Sequence, residues 1–145
     1  ADADFNGYEF EVGRSFSTNN GELQISYGRE EVVGTFASGG NVPRITPIKN
    51  VYRFALEQKD VTYDIKIMDV QKEDDIGFGE SVTDGYTMVD FDIRRSIAIG
   101  SDEELVLSVF GRNLMDEKAR NHTSYVKNEV PLAGRNFGIK LNFNF

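Results

Sequence analysis

The feature that most constrains this chain is a period of two in its apolar residues. Over the last stretch, Phe137, Ile139, Leu141, Phe143 and Phe145 alternate with Gly138, Lys140, Asn142 and Asn144. Successive side chains on a β-strand point to opposite faces, so the pattern makes one greasy face and one wet face. The same reading holds upstream. Val61, Tyr63, Ile65 and Ile67 alternate with Thr62, Asp64, Lys66 and Met68. Val89, Phe91, Ile93, Ile97 and Ile99 share a face interrupted by Arg95, while Asp90, Asp92 and Arg94 face the other way. Tyr52, Phe54 and Leu56 oppose Arg53, Ala55 and Glu57; Leu23, Ile25 and Tyr27 oppose Gln24, Ser26 and Gly28. Tyr8, Phe10, Val12 and Phe16 alternate with Gly7, Glu9, Glu11 and Gly13. No segment carries a comparable 3.6-residue stripe, so the chain reads as all-β.

Turn residues divide the chain into about seven strands, near 5–16, 22–37, 45–59, 61–75, 85–99, 103–115 and 135–145. Residues 120–127 are a candidate for one more. The connections alternate in character. Ser17 to Gly21, Lys59-Asp60 and Ser101-Asp102 are tight turns, whereas Ser38 to Arg44, Asp75 to Asp84 and Asp116 to Gly134 are longer. Short turns at one end and long loops at the other describe an antiparallel up-and-down sheet of the outer-membrane kind. An odd strand count leaves the first and last strands running in the same direction. Closing such a sheet on itself needs a parallel seam, so the segment reads as part of a larger barrel. The start, Ala1 to Phe5, has neither Met nor a basic-then-apolar signal segment. The expectation is processing, or a beginning inside a larger gene product.

Composition narrows the function classes. The absence of Cys excludes a disulfide framework, a thiolate nucleophile and a zinc–cysteine site. The single histidine, His122, excludes a multi-His metal centre built from this chain. Sixteen basic against 24 acidic residues, a net charge of -8, provide no basic patch for phosphates, so no nucleic-acid partner is expected. Strands at or above about 9–11 residues suit a tilted membrane crossing. Phe16, Tyr52, Tyr63, Tyr86, Phe143 and Phe145 lie near strand ends, where an interfacial girdle belongs. Arg95 opposes this reading unless it sits near the interface, where its cost falls to about 0–1 kcal/mol.

The C-terminal residues are more specific. Gly111 to Ser124 (Gly-Arg-Asn-Leu-Met-Asp-Glu-Lys-Ala-Arg-Asn-His-Thr-Ser) resembles the penultimate-strand motif of TonB-dependent outer-membrane receptors, with Met115 in place of the usual aromatic. The matching positions are Asn113, Leu114, Asp116, Arg120 and Asn121. Pro131 to Phe137 resembles the family's proline and Gly-Arg pair, here Gly134 and Arg135, leading into the last strand. Gly138, Phe143 and Phe145 resemble the signal read by the barrel assembly machinery. Pro43 to Pro47 and Ala1 to Glu11 resemble earlier strand starts, so the resemblance covers essentially the whole chain.

The resemblance implies the C-terminal third of a plugged barrel of about 22 strands in the outer membrane of a Gram-negative bacterium. Such receptors import ferric siderophores, haem, cobalamin or metal ions, driven through the TonB protein. The implied partners are the lipid bilayer, the assembly machinery, the remainder of the receptor chain, and TonB through an N-terminal part not included here. The Asn-His-Thr-Ser run looks most like subfamilies associated with zinc or haem uptake.

Individual residues have plainer readings beside the functional ones. Asp64, Lys66, Asp90, Asp92, Lys140 and Asn142 are expected to face the lumen. His122 could give one metal ligand, but metals need three or four. A solvated loop histidine is the expectation. Glu73-Asp74-Asp75 and Asp102-Glu103-Glu104 read as solvated loop or turn acids. Asp90 and Asp92 share one strand face rather than opposing each other across a cleft, which does not suit a glycosidase. Gly77-Phe78-Gly79 lacks the helix of a phosphate loop. No catalytic residue, cofactor or enzymatic activity is expected. The rival reading is a soluble β-barrel or sandwich binding a small apolar ligand, with Ile65, Ile67, Ile139 and Leu141 packed inside.

Overall fold

A computed structural model describes residues 2–100 and 103–145. The predicted Ser101-Asp102 turn, Asp102 of the second acidic cluster, and Ala1 lie outside those residues. The chain forms one sheet of seven antiparallel strands in sequence order: β1 (Ala3–Thr18), β2 (Gly21–Phe36), β3 (Lys49–Gln58), β4 (Val61–Val70), β5 (Tyr86–Ala98), β6 (Glu104–Arg112) and β7 (Asn136–Asn144).

Three predicted ends move inward, each for a local reason. The strand expected from 45 begins at Lys49, because Pro47 has no N–H for the ladder. The strand expected to reach 75 ends at Val70, after which Glu73 pairs only as an isolated bridge with Thr83. The strand expected to reach 115 stops at Arg112, because Asn113 turns left-handed at φ 49°. Residues 120–127 form turns rather than an extra strand, with the Ser124 N–H donating to the Asn121 carbonyl at 3.0 Å.

Register carries the alternation across the whole sheet. Phe16, Leu23, Leu56, Tyr63, Ile93, Val109 and Ile139 are successive cross-strand partners, one from each strand. A slip of one residue at any pairing would send an entire strand's apolar set to the other face. Among the described residues nothing covers this face. Ile139 is 71% exposed and Leu141 65%, and among the described residues the buried hydrophobics are Val70 and Ala119 alone. The rival expectation of Ile65, Ile67, Ile139 and Leu141 in a packed interior is therefore corrected: they lie on an open face.

The opposite face is polar and ion-paired. Arg53–Asp64 (3.8 Å), Lys66–Asp90 (3.6 Å), Arg112–Asp92 (2.8 Å) and Lys49–Glu30 bridge neighbouring strands. Asp64 and Asp92 are direct cross-strand partners, which would repel if alone. Arg53 and Arg112 neutralise them from the flanking strands. Two residues flagged by the sequence now have positions. Arg95 stands opposite Val61, and its Nε donates to Asp60 Oδ2 in the β3–β4 turn at 3.0 Å, so it belongs to the turn end of the apolar face. Tyr86, expected in an aromatic girdle, is opposite Val70 on the polar side; it occupies the even-numbered face of β5 with Asp90 and Asp92.

Candidate functional site

The connections β2–β3, β4–β5 and β6–β7 leave the same end of the sheet and interlock there. Glu80 fastens two of them: Oε1 accepts the Arg44 backbone N–H at 2.9 Å, and Oε2 accepts that of Gly77 at 2.9 Å. Arg44 reaches the third, donating from Nη1 to the Thr123 carbonyl at 3.2 Å and stacking over the Tyr125 ring.

At the centre lies His122, only 3% exposed. Its Nδ1 is 2.9 Å from Thr83 Oγ1 and 3.2 Å from Lys127 Nζ, and its Nε2 is 3.5 Å from Glu80 Oε1. Lys127 Nζ also donates to Thr83 Oγ1 at 2.8 Å and to the Ser81 carbonyl. An ammonium only donates, so Nδ1 accepts and the network assigns the ring proton to Nε2, facing Glu80. Burial lowers the imidazole pKa below its ordinary value, and Lys127 and Arg44 push the same way against Glu80. The ring is neutral at neutral pH.

The expected solvated histidine is thus corrected to a buried fastening between loops. Its partners come from Glu80 and Thr83 on another connection, a proximity no local pattern signals. Nδ1 is hydrogen-bonded within the protein and Nε2 faces the Glu80 carboxylate, and among the described residues no group of three His, Asp or Glu side chains converges. Thr83, His122 and Glu80 have the order of a hydroxyl–imidazole–carboxylate relay. Thr83 is 4% exposed and its oxygen accepts from Lys127, so this hydroxyl offers no accessible nucleophile.

The motif residues close the base of the β6–β7 connection. Asn113 is 2% exposed. Its backbone N–H donates to Asp90 Oδ1 at 2.9 Å, and its side-chain amide donates to the Glu117 and Ala133 carbonyls at 2.8 and 3.1 Å. Its Oδ1 accepts the Glu117 N–H at 2.8 Å. Asparagine suits this position because it tolerates left-handed backbone and offers both donor and acceptor. Leu114 N–H donates to the Val89 carbonyl at 2.8 Å, extending the ladder one step past β6. Asp116 Oδ1 accepts the Arg135 N–H at 2.9 Å, and a side chain on Gly134 would meet that same oxygen at 3.3 Å. Arg120 donates to the Lys127 carbonyl, and Asn121 Oδ1 accepts from the Thr123 N–H at 3.2 Å. These residues define a folded loop, with only Asp90 shared with the polar sheet face.

The remaining candidates separate. Asp64, Lys66, Asp90, Asp92, Lys140 and Asn142 all lie on the polar face, Lys66 paired with Asp90, Asp64 with Arg53 and Asp92 with Arg112. Phe143 and Phe145 extend the apolar face with rings 5.8 Å apart. Gly138 faces Phe110, whose ring would lie 2.2 Å from an added Cβ. In the Glu73-Asp74-Asp75 run, Lys72 pairs with Asp74 at 2.9 Å. Burial, then Asp75, Asp74 and Glu80, raise the Glu73 pKa. Arg44, Glu80, Thr83 and Lys127 were not distinguishable in the sequence as parts of a site.

No protein-family model matches the chain, and no curated protein does. Among solved structures, one described as "Copper transporter OprC" is similar, with a TM-score of 0.76 and 18% sequence identity over 96% of this chain. The matched region is 23% of that protein, so the chain spans less than a quarter of its length. At this identity the likeness concerns the fold.

Proposed function

We propose that this chain is the C-terminal barrel segment of a TonB-dependent outer-membrane receptor that imports a scarce nutrient such as ferric siderophore, haem or a metal ion. The observation that carries the proposal is the pair of faces: an uncovered apolar face in register across seven strands, backed by a face of cross-strand ion pairs. Lipid is the solvent that rewards the first, and a water-filled or plugged lumen suits the second. The loops sorted by end and the fold likeness to a protein described as a copper transporter agree with it.

In this reading Asp64, Lys66, Asp90, Asp92, Lys140 and Asn142 line the lumen, and the interlocked long loops lie on the outer side. β1 and β7 are the two sheet edges and run the same way, so each pairs with strands from the remainder of the receptor chain. Gly138, Phe143 and Phe145 serve the assembly machinery, and TonB engages a part of the receptor outside this segment. Nothing in the arrangement calls for catalysis.

An antibody to residues 121–136, applied to fractionated native cells, tests the reading. The expected result is an outer-membrane band several times larger than 16.3 kDa. A band of that mass in a soluble fraction would refute it.

A further inference from the structure

One level of the apolar face is polar from β1 to β5. Tyr8 stands directly opposite Glu31; one step along β2, Arg29 stands opposite Asn50, Asn50 opposite Asp69, and Asp69 opposite Thr87. These side chains form a continuous hydrogen-bonded row. Tyr8 Oη donates to Glu31 Oε2 at 2.7 Å and accepts from Arg29 Nε at 2.8 Å. Arg29 Nη2 reaches Glu31 Oε2 at 2.7 Å, and Nη1 reaches Asn50 Oδ1 at 3.3 Å. Asn50 Nδ2 donates to Asp69 Oδ2 at 3.4 Å, and Thr87 Oγ1 donates to Asp69 Oδ1 at 3.0 Å.

Immediately on the turn side runs a row of rings, Phe10, Tyr27 and Tyr52, with successive centroids 5.7 and 5.0 Å apart. Tyr27 sends its hydroxyl up to Asn50 Oδ1 at 2.9 Å. Asn50, in the middle, is 6% exposed although nothing covers this face. The burial comes from its neighbours in the row.

We propose that this row is the line where the sheet meets the polar headgroup layer of the bilayer leaflet on the long-loop side. The inference rests on the membrane reading above and adds a depth to it. Polar groups bordering hydrocarbon must find their partners within the protein, and here each does. Arg29 is matched by Glu31, so the row presents no unpaired cation, and its partner is a dipolar, net-neutral headgroup layer rather than a single bound phosphate. Tyrosines with rings toward the apolar side and hydroxyls toward the polar side are placed as at an interface. The other boundary follows on β4. From Asp69 to Val61, beside the Arg95–Asp60 pair, the outer positions are apolar. About eight residues at roughly 3.3 Å each, tilted by about 40°, give an apolar height of about 20 Å. That is slightly under the band of about 25 Å expected of such barrels.

The test uses the full-length receptor in phosphatidylcholine vesicles, with single nitroxide labels at Ile65, Ile67 and Gln71, and at Lys66 on the opposite face. Collision with oxygen reports hydrocarbon, and collision with a nickel chelate reports water. Ile65 and Ile67 should be dominated by oxygen and Gln71 by nickel, with the crossover at the level of Asp69. In Asn50→Leu the row is cut, and the Gln71 label should become several-fold less accessible to nickel. A crossover at another level, or one unmoved by Asn50→Leu, overturns the row as the boundary while leaving the membrane reading intact. Equal nickel access at Ile65 and Lys66 overturns the membrane reading itself.

Discussion

Replacing Gly138 with alanine should push the Phe110 ring off β7. The two residues are direct cross-strand partners, and the new methyl would lie 2.2, 2.7 and 2.9 Å from three ring carbons. Carbon atoms rest at about 3.5–4.0 Å, so the ring must retreat by more than about 1 Å. Because Arg112 lies over the same ring, with its guanidinium carbon 5.0 Å from the centroid, the retreat also disturbs the Arg112–Asp92 pair. Overpacking in a core costs about 1–3 kcal/mol, and because the atoms met are the far end of a half-exposed side chain the cost here falls at the low end, about 1 kcal/mol. On the membrane reading proposed above, urea unfolding of the full-length protein in vesicles, read by the mobility shift of a folded barrel on gels, measures it. The discriminating variant is Gly138→Ala combined with Phe110→Ala. Without the ring the methyl has room, so the alanine at 138 should then cost close to nothing, giving a coupling equal to its whole cost beside the ring, about 1 kcal/mol, as for residues in contact. Additivity within about 0.5 kcal/mol would refute the close-approach argument. Loss of assembly in cells that persists in the double variant would instead mean that the machinery reads the glycine itself.

Arginine at Ile139 should destabilise the full-length barrel by about 2–4 kcal/mol if mid-bilayer, while arginine at Asn142 should be tolerated; equal costs in urea unfolding would refute the assignment of faces. Asn113→Ala removes three hydrogen bonds made by a buried side chain, a loss of about 1–3 kcal/mol. Faster proteolysis within residues 113–135, with the strands intact, is the expected result. Acid should open the three-loop cluster. The closed state lowers the His122 pKa below its free value of about 6.5, so it binds fewer protons than the open state. Its stability is complete above about pH 6.5 and declines as the pH falls through that value toward the lower closed-state pKa. Protection against hydrogen exchange at residues 80–83 and 122–127, taken relative to the intrinsic rate at each pH, should fall over that window, and His122→Gln should flatten the dependence.

The strands were legible because they are written locally. A period of two needs no distant partner to declare itself, and the tight turns carry their own backbone chemistry, as at Lys59 with φ 49°. The ends were blurred where charge or proline, rather than a loss of alternation, ended the pairing, as at Pro47 and beyond Val70. Asn113, Asp116, Gly134 and Arg135 were recognisable as a motif, but not as the four corners of one loop base.

Alternation and turn spacing by themselves determined an antiparallel sheet with one apolar face and six of the residues that lie on the other. They could not determine what that apolar face meets, because a soluble barrel and a membrane barrel share the same period. The tertiary arrangement shows that face uncovered and in register from Phe16 to Ile139, which is the observation that supports the membrane reading. It alone decided the setting of His122, whose partners Thr83 and Glu80 are 39 and 42 residues away in the chain. It also decided the row through Asn50, where five strands each contribute a polar side chain at one height. The physical reason is the same in each case: a period belongs to one strand, whereas burial, hydrogen-bond satisfaction and depth belong to neighbours that only the folded sheet brings together.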